Sequence, residues 1–172
     1  EEVSSFSVDT LELQKSAALW YSMVYKRPDE SKTLLENYLS GDIPAGKRAF
    51  LEALNQASLS LYKVESIDIE KSRLDVRDIW SESDLSIHSV ILASQLDVGD
   101  YVPLWVYRCG DFNFAEKAGP SFDEAEFDDV ISDLRALGLP DAPSGEWLRE
   151  NAHIFGSLFA DYFDPYSETD DY

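Results

Sequence analysis

Six carboxylates, Asp123, Glu124, Glu126, Asp128, Asp129 and Asp133, fall within one run of eleven residues. Such a run forms either a solvated helix face or an anionic surface that steers a basic partner toward it. Paired carboxylates can also hydrolyse a glycosidic bond when they stand about 5–9 Å apart. Asp78, set between Val76 and Trp80, is the acid best suited to partial burial and would seed a hydrolase pair. Its plainer role is that of a structural acid closing a turn. Cys109 with His88 is the one nucleophile–base combination, although a lone strand cysteine ordinarily packs as a small hydrophobe. There is no Cys-x-x-Cys, His-x-x-x-His, calcium loop, Gly-x-Ser-x-Gly or glycine-rich phosphate loop, so neither a metal nor a cofactor is expected. Most aromatic residues suit core packing. Trp105 and Tyr107, on one strand beyond Pro103, are the candidates for anchoring a protein partner.

These residues need elements to place them, and the chain divides into three blocks plus a tail. Residues 1–57 read as helical. A D-x-x-E pattern at Asp9 and Glu12 resembles a capping box, and Leu13, Ala17, Trp20 and Val24 follow at helical spacing. A second helix spans about 31–40, with Leu34, Leu35, Tyr38 and Leu39 as its stripe and Gly41 as its cap. Pro44 opens a third helix, whose buried face is Ala49, Phe50, Ala53 and Leu54. Residues 58–118 change to strand period, with polar turns at 70–72, 81–84, 97–100 and 110–111. They predict five short strands: about 59–69, 74–80, 85–92, 102–108 and 112–116. Val102, Leu104 and Val106 share one face, and Pro103 marks an edge or bulge. Residues 119–164 return to helix. Ser121 and Glu124 form an S-x-x-E box before Phe127, Val130, Ile131, Leu134 and Leu137, and Gly138 ends that helix. A last helix, about 144–163, is apolar around much of its girth, and residues 165–172 form an acidic tail. The predicted class is α+β: N-terminal helices, a central five-stranded antiparallel barrel-like sheet, and two C-terminal helices, all in one compact unit.

The composition limits the partners. Thirty-four Asp and Glu stand against 14 Lys and Arg, a formal charge of −20. Fifteen of the acids and only 3 of the bases lie in residues 116–172. Clustered cations are what phosphate backbones and anionic lipids require, so direct nucleic-acid binding and membrane docking are not expected. No stretch approaches the length of a membrane helix, and Glu1-Glu2-Val3-Ser4-Ser5 has no basic start or apolar core of a secretory leader. One cysteine fits a reducing compartment, so the expected location is cytoplasmic.

The middle block carries a resemblance. Tyr62-x-Val64, Leu74-x-Val76-x-Asp78 and Val98-Gly99-Asp100 before a hydrophobic strand, with Leu34-Leu35-Glu36-x-Tyr38 and Phe50-Leu51-x-Ala53-Leu54 ahead of them, resemble the helical and small β-domain region of uncharacterised bacterial proteins associated with SEC-C motifs. The resemblance spans about residues 30–120 and implies the fold and a bacterial or phage setting. The cysteine-rich SEC-C motif is absent, so no zinc function is implied. Together these features lead to an expected role as a non-enzymatic acidic binding or regulatory protein. Inhibitor, immunity and adaptor roles fit, with DNA mimicry as a special case. The expected partner is a protein with a basic surface, and the six C-terminal acids together with Trp105 and Tyr107 are the expected contact residues. The alternative is a hydrolase using a carboxylate pair near Asp78.

Overall fold

The structure is a computed structural model that describes residues 18, 19, 21–26 and 29–155. The expected helix positions Leu13, Ala17, Trp20, Leu158, Phe159 and Tyr162, and the Asp9–Glu12 box, lie outside the described residues. Five strands, β1 (Ser58–Asp68), β2 (Arg73–Asp78), β3 (Asp84–His88), β4 (Tyr101–Cys109) and β5 (Phe112–Lys117), close into a barrel of order β1-β2-β3-β5-β4. Helices α1 (Leu34–Leu39) and α2 (Ala45–Asn55) precede the barrel, α3 (Val90–Gln95) links β3 to β4, and α4 (Phe127–Ala136) and α5 (Gly145–Glu150) follow.

The α+β class holds, but the sheet is mixed. β3 and β5 run parallel, joined in register at Ile87 and Asn113, while every other pair is antiparallel. A closed ring with an odd number of strands cannot alternate direction all the way round, so one parallel pair is unavoidable. This strand order, with a helix between the third and fourth strands, is that of an OB-type barrel. β1 serves both halves of it. Its start pairs with β4, its end pairs with β2, and a register shift between Val64 and Ser66 bends it between the two.

β4 is buried on both faces, which is why Tyr101 to Tyr107 reads as an unbroken apolar run. Val102, Leu104 and Val106 point into the barrel as expected, alongside Val64, Leu74, Val76 and Ile87. Trp105 and Tyr107 point the other way, under the helical layer. The expected strand through Leu92 is corrected. Ser89 breaks it by accepting a hydrogen bond from the Leu92 N–H, and α3 then inserts Leu92, Ala93 and Leu96 as a plug in one end of the barrel. Pro103 sits where its carbonyl accepts from the Ala118 N–H and β5 has just ended at Lys117. Its missing N–H therefore falls where that ladder stops.

Local signals were displaced more often than lost. The reciprocal cap before α4 is made by Asp123 and Glu126 rather than Ser121 and Glu124: Asp123 Oδ1 accepts from the Ala125 and Glu126 N–H groups, and the Asp123 N–H donates to Glu126 Oε2. Thr33 and Glu36 form an unforeseen box at α1. Pro44 is the N-cap of α2, one residue before the helix. Gly138 does end α4, at φ 107°, with the Leu139 N–H reaching Leu134 O. Gly41 has no such left-handed φ, and α1 ends through Ser40. Leu34, Tyr38 and Phe50, expected in buried stripes, are exposed. α5 is short, and a turn at 151–152 separates it from the helical residues 153–155.

One cation ties the helical layer to the barrel. The Arg149 guanidinium on α5 donates to Ala57 O (2.7 Å), Asn55 O (2.7 Å) and Met23 O (3.2 Å). Asn55 ends α2 and Ala57 leads into β1, so the Asn55 carbonyl lies at the negative end of a helix dipole. Burial pulls the Arg149 pKa below the usual range. No pattern in the sequence marks this residue.

Candidate functional site

With α3 plugging one end of the barrel, the other end is the open one. Barrel register sets what lines it. Ser58 pairs with Val106, Tyr62 pairs with Asp78, and Arg108 pairs with Asn113, so these side chains share the inward direction. They surround a cleft of about 390 Å³. A second cleft of about 450 Å³ lies on the far side of the same wall, between the start of β1, the Asp78–Ser81 turn and the loop from Asp141 to Gly145. Ser58, Tyr62 and Asp78 line both. The mouths of barrels are common places for ligand sites.

Tyr62 forms the floor. It is buried, and its pKa is pushed up to about 12, chiefly by burial, with the Asp78 charge adding to this and a hydrogen bond with Ser58 opposing it. The phenol therefore stays protonated as a donor at neutral pH. Asp78 is half-buried, and its Oδ1 accepts from the Trp80 and Ser81 N–H groups at 2.9 Å each. That is the turn-closing role read from the sequence. No hydrogen bond or ion pair among the described residues uses its other oxygen. Asp141 is the second carboxylate lining a cleft with Asp78. It is 92% exposed and pairs with Arg135 at 3.2 Å.

The six C-terminal acids are all exposed, and α4 explains why. Val130, Ile131 and Leu134 turn inward, so the acids take the outer face. They are not equivalent. Asp123 and Glu126 are engaged in the cap. Glu124 pairs with Lys63 at 3.5 Å, and the Lys63 ammonium also lies over the Tyr101 ring, 5.2 Å from its centre. Asp128, Asp129 and Asp133 have no cation or hydrogen-bond donor among the described residues. α4 runs from Tyr101, where Phe127 packs at 4.4 Å, toward Asp141 at the rim of the second cleft.

Trp105 and Tyr107 do not join that surface, which corrects their expected role as anchors. Trp105 is fully buried. Tyr107 is 8% exposed and held between Phe50, edge-on at 5.8 Å, and Phe114, stacked at 6.0 Å. The reason is the helical layer on the outside of β4, which strand periodicity alone does not reveal.

Other chemistry is not assembled. His88 packs edge-on against Phe112, the register partner of Cys109, and no hydrogen bond joins Cys109 to His88. Among the described residues no three His, Cys, Asp or Glu side chains converge. OB barrels commonly bind oligonucleotides on the outside of strands two and three, using a basic groove with stacking aromatics. Here that face carries a polar ladder. Asp75 accepts from Ser86 Oγ (2.5 Å), Ser66 Oγ (2.9 Å) and Arg73 (3.2 Å). These bonds hold its carboxyl below the usual range, the two serine hydroxyls first. No described helix is long and apolar enough to cross a membrane.

An OB-type barrel wrapped in helices, with a polar open mouth, is the class of protein these features define. Residues 10–137 match a family of unknown function, DUF7986, and the chain belongs to that family. The matched region contains all five strands and α1 to α4 and ends before α5. No curated protein and no solved structure matches the chain.

Proposed function

We propose that this chain is a non-enzymatic acidic binding or regulatory protein that docks the outer face of α4 on a basic surface of a protein partner. Inhibitor, immunity and adaptor roles, and imitation of DNA phosphates, belong to this reading, as do a bacterial or phage setting and a cytoplasmic location. The observation that supports it is the set Asp128, Asp129 and Asp133, exposed on a helix packed through Val130, Ile131 and Leu134 and without counter-charges among the described residues. Unneutralised carboxylates on a packed element can steer association at little ordering cost. The ladder of Asp75, Ser66, Ser86 and Arg73 outside β2 and β3, with no Phe, Tyr or Trp in those strands, supports a protein rather than a nucleic acid as partner.

The test compares wild type with the Asp128→Asn/Asp129→Asn/Asp133→Asn variant as bait in the native host's extract, at about 0.1 M and about 1 M salt, where the Debye length falls from about 10 to about 3 Å. The expected result is a partner held by wild type at low salt and lost both at high salt and with the variant. Retention of the same partner in all arms overturns the electrostatic reading. A second reading, a hydrolase with Asp78 in a carboxylate pair, is favoured by the clefts on either side of Asp78. It requires Asp141 to leave Arg135 and turn toward Asp78.

A further inference from the structure

The open mouth of the barrel holds a carboxylate, Asp78, that pairs with no cation among the described residues. Asp78 lies half-buried between two clefts, and its Oδ1 is satisfied by two backbone N–H groups of the turn it closes. Its register partner, Tyr62, stands opposite it with its phenol, and Ser58, which lines the same cleft, has its hydroxyl within 3.5 Å of Val106 O. No Lys or Arg among the described residues pairs with Asp78. Arg77 is adjacent in sequence, but strand alternation sends it to the outer face. Arg108 stands across the mouth, with its Nε committed to Gly110 O at 3.1 Å. The walls between these polar groups include Leu85 and Val106. A half-buried anion with hydroxyl groups around it and an aliphatic wall has the chemistry to receive an organic cation: the charge meets the free carboxylate oxygen, and a short alkyl stem lies along the wall. The net charge of −20 raises the local concentration of any such cation.

We infer that the barrel mouth is a binding site for an ammonium or guanidinium group on an aliphatic stem, held by Asp78 with Tyr62 and Ser58. The group comes either from a free small molecule or from a lysine or arginine side chain of a polypeptide. The site is separate from the α4 face and survives its neutralisation. A free amino acid would also bring a carboxylate toward Arg108, whereas a residue within a peptide would not.

The experiment is amide-resolved NMR titration of the full chain with three probes: butylguanidine, free L-arginine, and a capped Gly-Arg-Gly peptide. Saturable shifts are expected at Ser58, Tyr62 and the Asp78–Ser81 turn. Asp78→Asn keeps an Oδ1 acceptor for the Trp80 and Ser81 N–H groups, so the turn survives while the charge is lost. It should weaken binding about tenfold or more. Tyr62→Phe should weaken it less. Stronger binding of free arginine assigns the site to a small molecule, and stronger binding of the capped peptide assigns it to a protein side chain. The inference is overturned if no probe saturates at millimolar concentration, if the shifts map to α4, or if Asp78→Asn binds like wild type. The α4 triple variant is run in parallel. It should retain mouth binding, so failure at the mouth and failure of the acidic-face reading remain distinguishable.

Discussion

Replacing Arg149 probes the joint that holds the helical layer to the barrel and fixes the start of β1, where Ser58 enters the mouth. Arg149→Met keeps most of the aliphatic stem and deletes the donors to Asn55, Ala57 and Met23. A hydrogen bond to a charged group contributes about 1.5–3 kcal/mol net. The guanidinium no longer has to be desolvated once it is gone, which offsets part of the loss. The three carbonyls are partly rewetted in the variant, so a simple sum would overstate the effect. The expected cost is about 3–4 kcal/mol, a large fraction of the roughly 5–15 kcal/mol by which domains are stable. Arg149→Lys retains one point charge without the planar fork and should cost about 2 kcal/mol. Urea unfolding followed by far-UV circular dichroism reads both, through a lower midpoint at unchanged slope. Arg135→Met is the control. Its partner Asp141 is 92% exposed, and the change should stay within about 0.5 kcal/mol. A loss below about 1 kcal/mol for Arg149→Met, or full retention by lysine, would refute the clamp.

Three further predictions concern the site and its frame. Tyr62 ionises near pH 10 when unfolded and at about 12 when folded, so its stabilising contribution is complete below pH 10 and is lost as pH rises toward 12. At about 1.4 kcal/mol per pKa unit, wild type should lose roughly 2–3 kcal/mol more than Tyr62→Phe between pH 9.5 and 12. Parallel unfolding curves for the two proteins in alkali would contradict this. Gly119→Ala would put a Cβ 2.7 Å from Pro103 Cγ and 3.0 Å from Phe155 O, and thermal melts should show a loss of about 1–3 kcal/mol. Gly46→Ala on α2 meets nothing within 4 Å and should instead gain up to about 1 kcal/mol from helix propensity.

Much of the candidate site was legible as residue types but not as an arrangement. The acidic face of α4 was readable because Val130, Ile131 and Leu134 keep helical spacing and leave the acids on the opposite side. Asp78 stood out because an acid inside a strand pattern is unusual, and its turn-closing bonds follow from the polar residues after Trp80. Tyr62 could have been noticed as a polar tip on an inward position of β1, two residues before Val64, but only pairing with β2 reveals that Asp78 lies opposite. Arg149 gave no signal, since its three acceptors are backbone atoms up to 126 residues away.

Local information therefore settled most element types and turns, the inward face of β4 and the placement of charge, because these depend on side-chain period and on glycine, proline and capping chemistry. Tertiary structure alone decided the rest. Closure of five strands forced β3 and β5 to run parallel. Packing of Leu92, Ala93 and Leu96 into one end of the barrel drew an apolar strand-like run into a helix and left the other end open around Tyr62 and Asp78. The helical layer covered the second face of β4 and buried Trp105 and Tyr107. A strand's alternation shows that it has two faces, but whether water or another layer meets each face depends on residues far away in the chain.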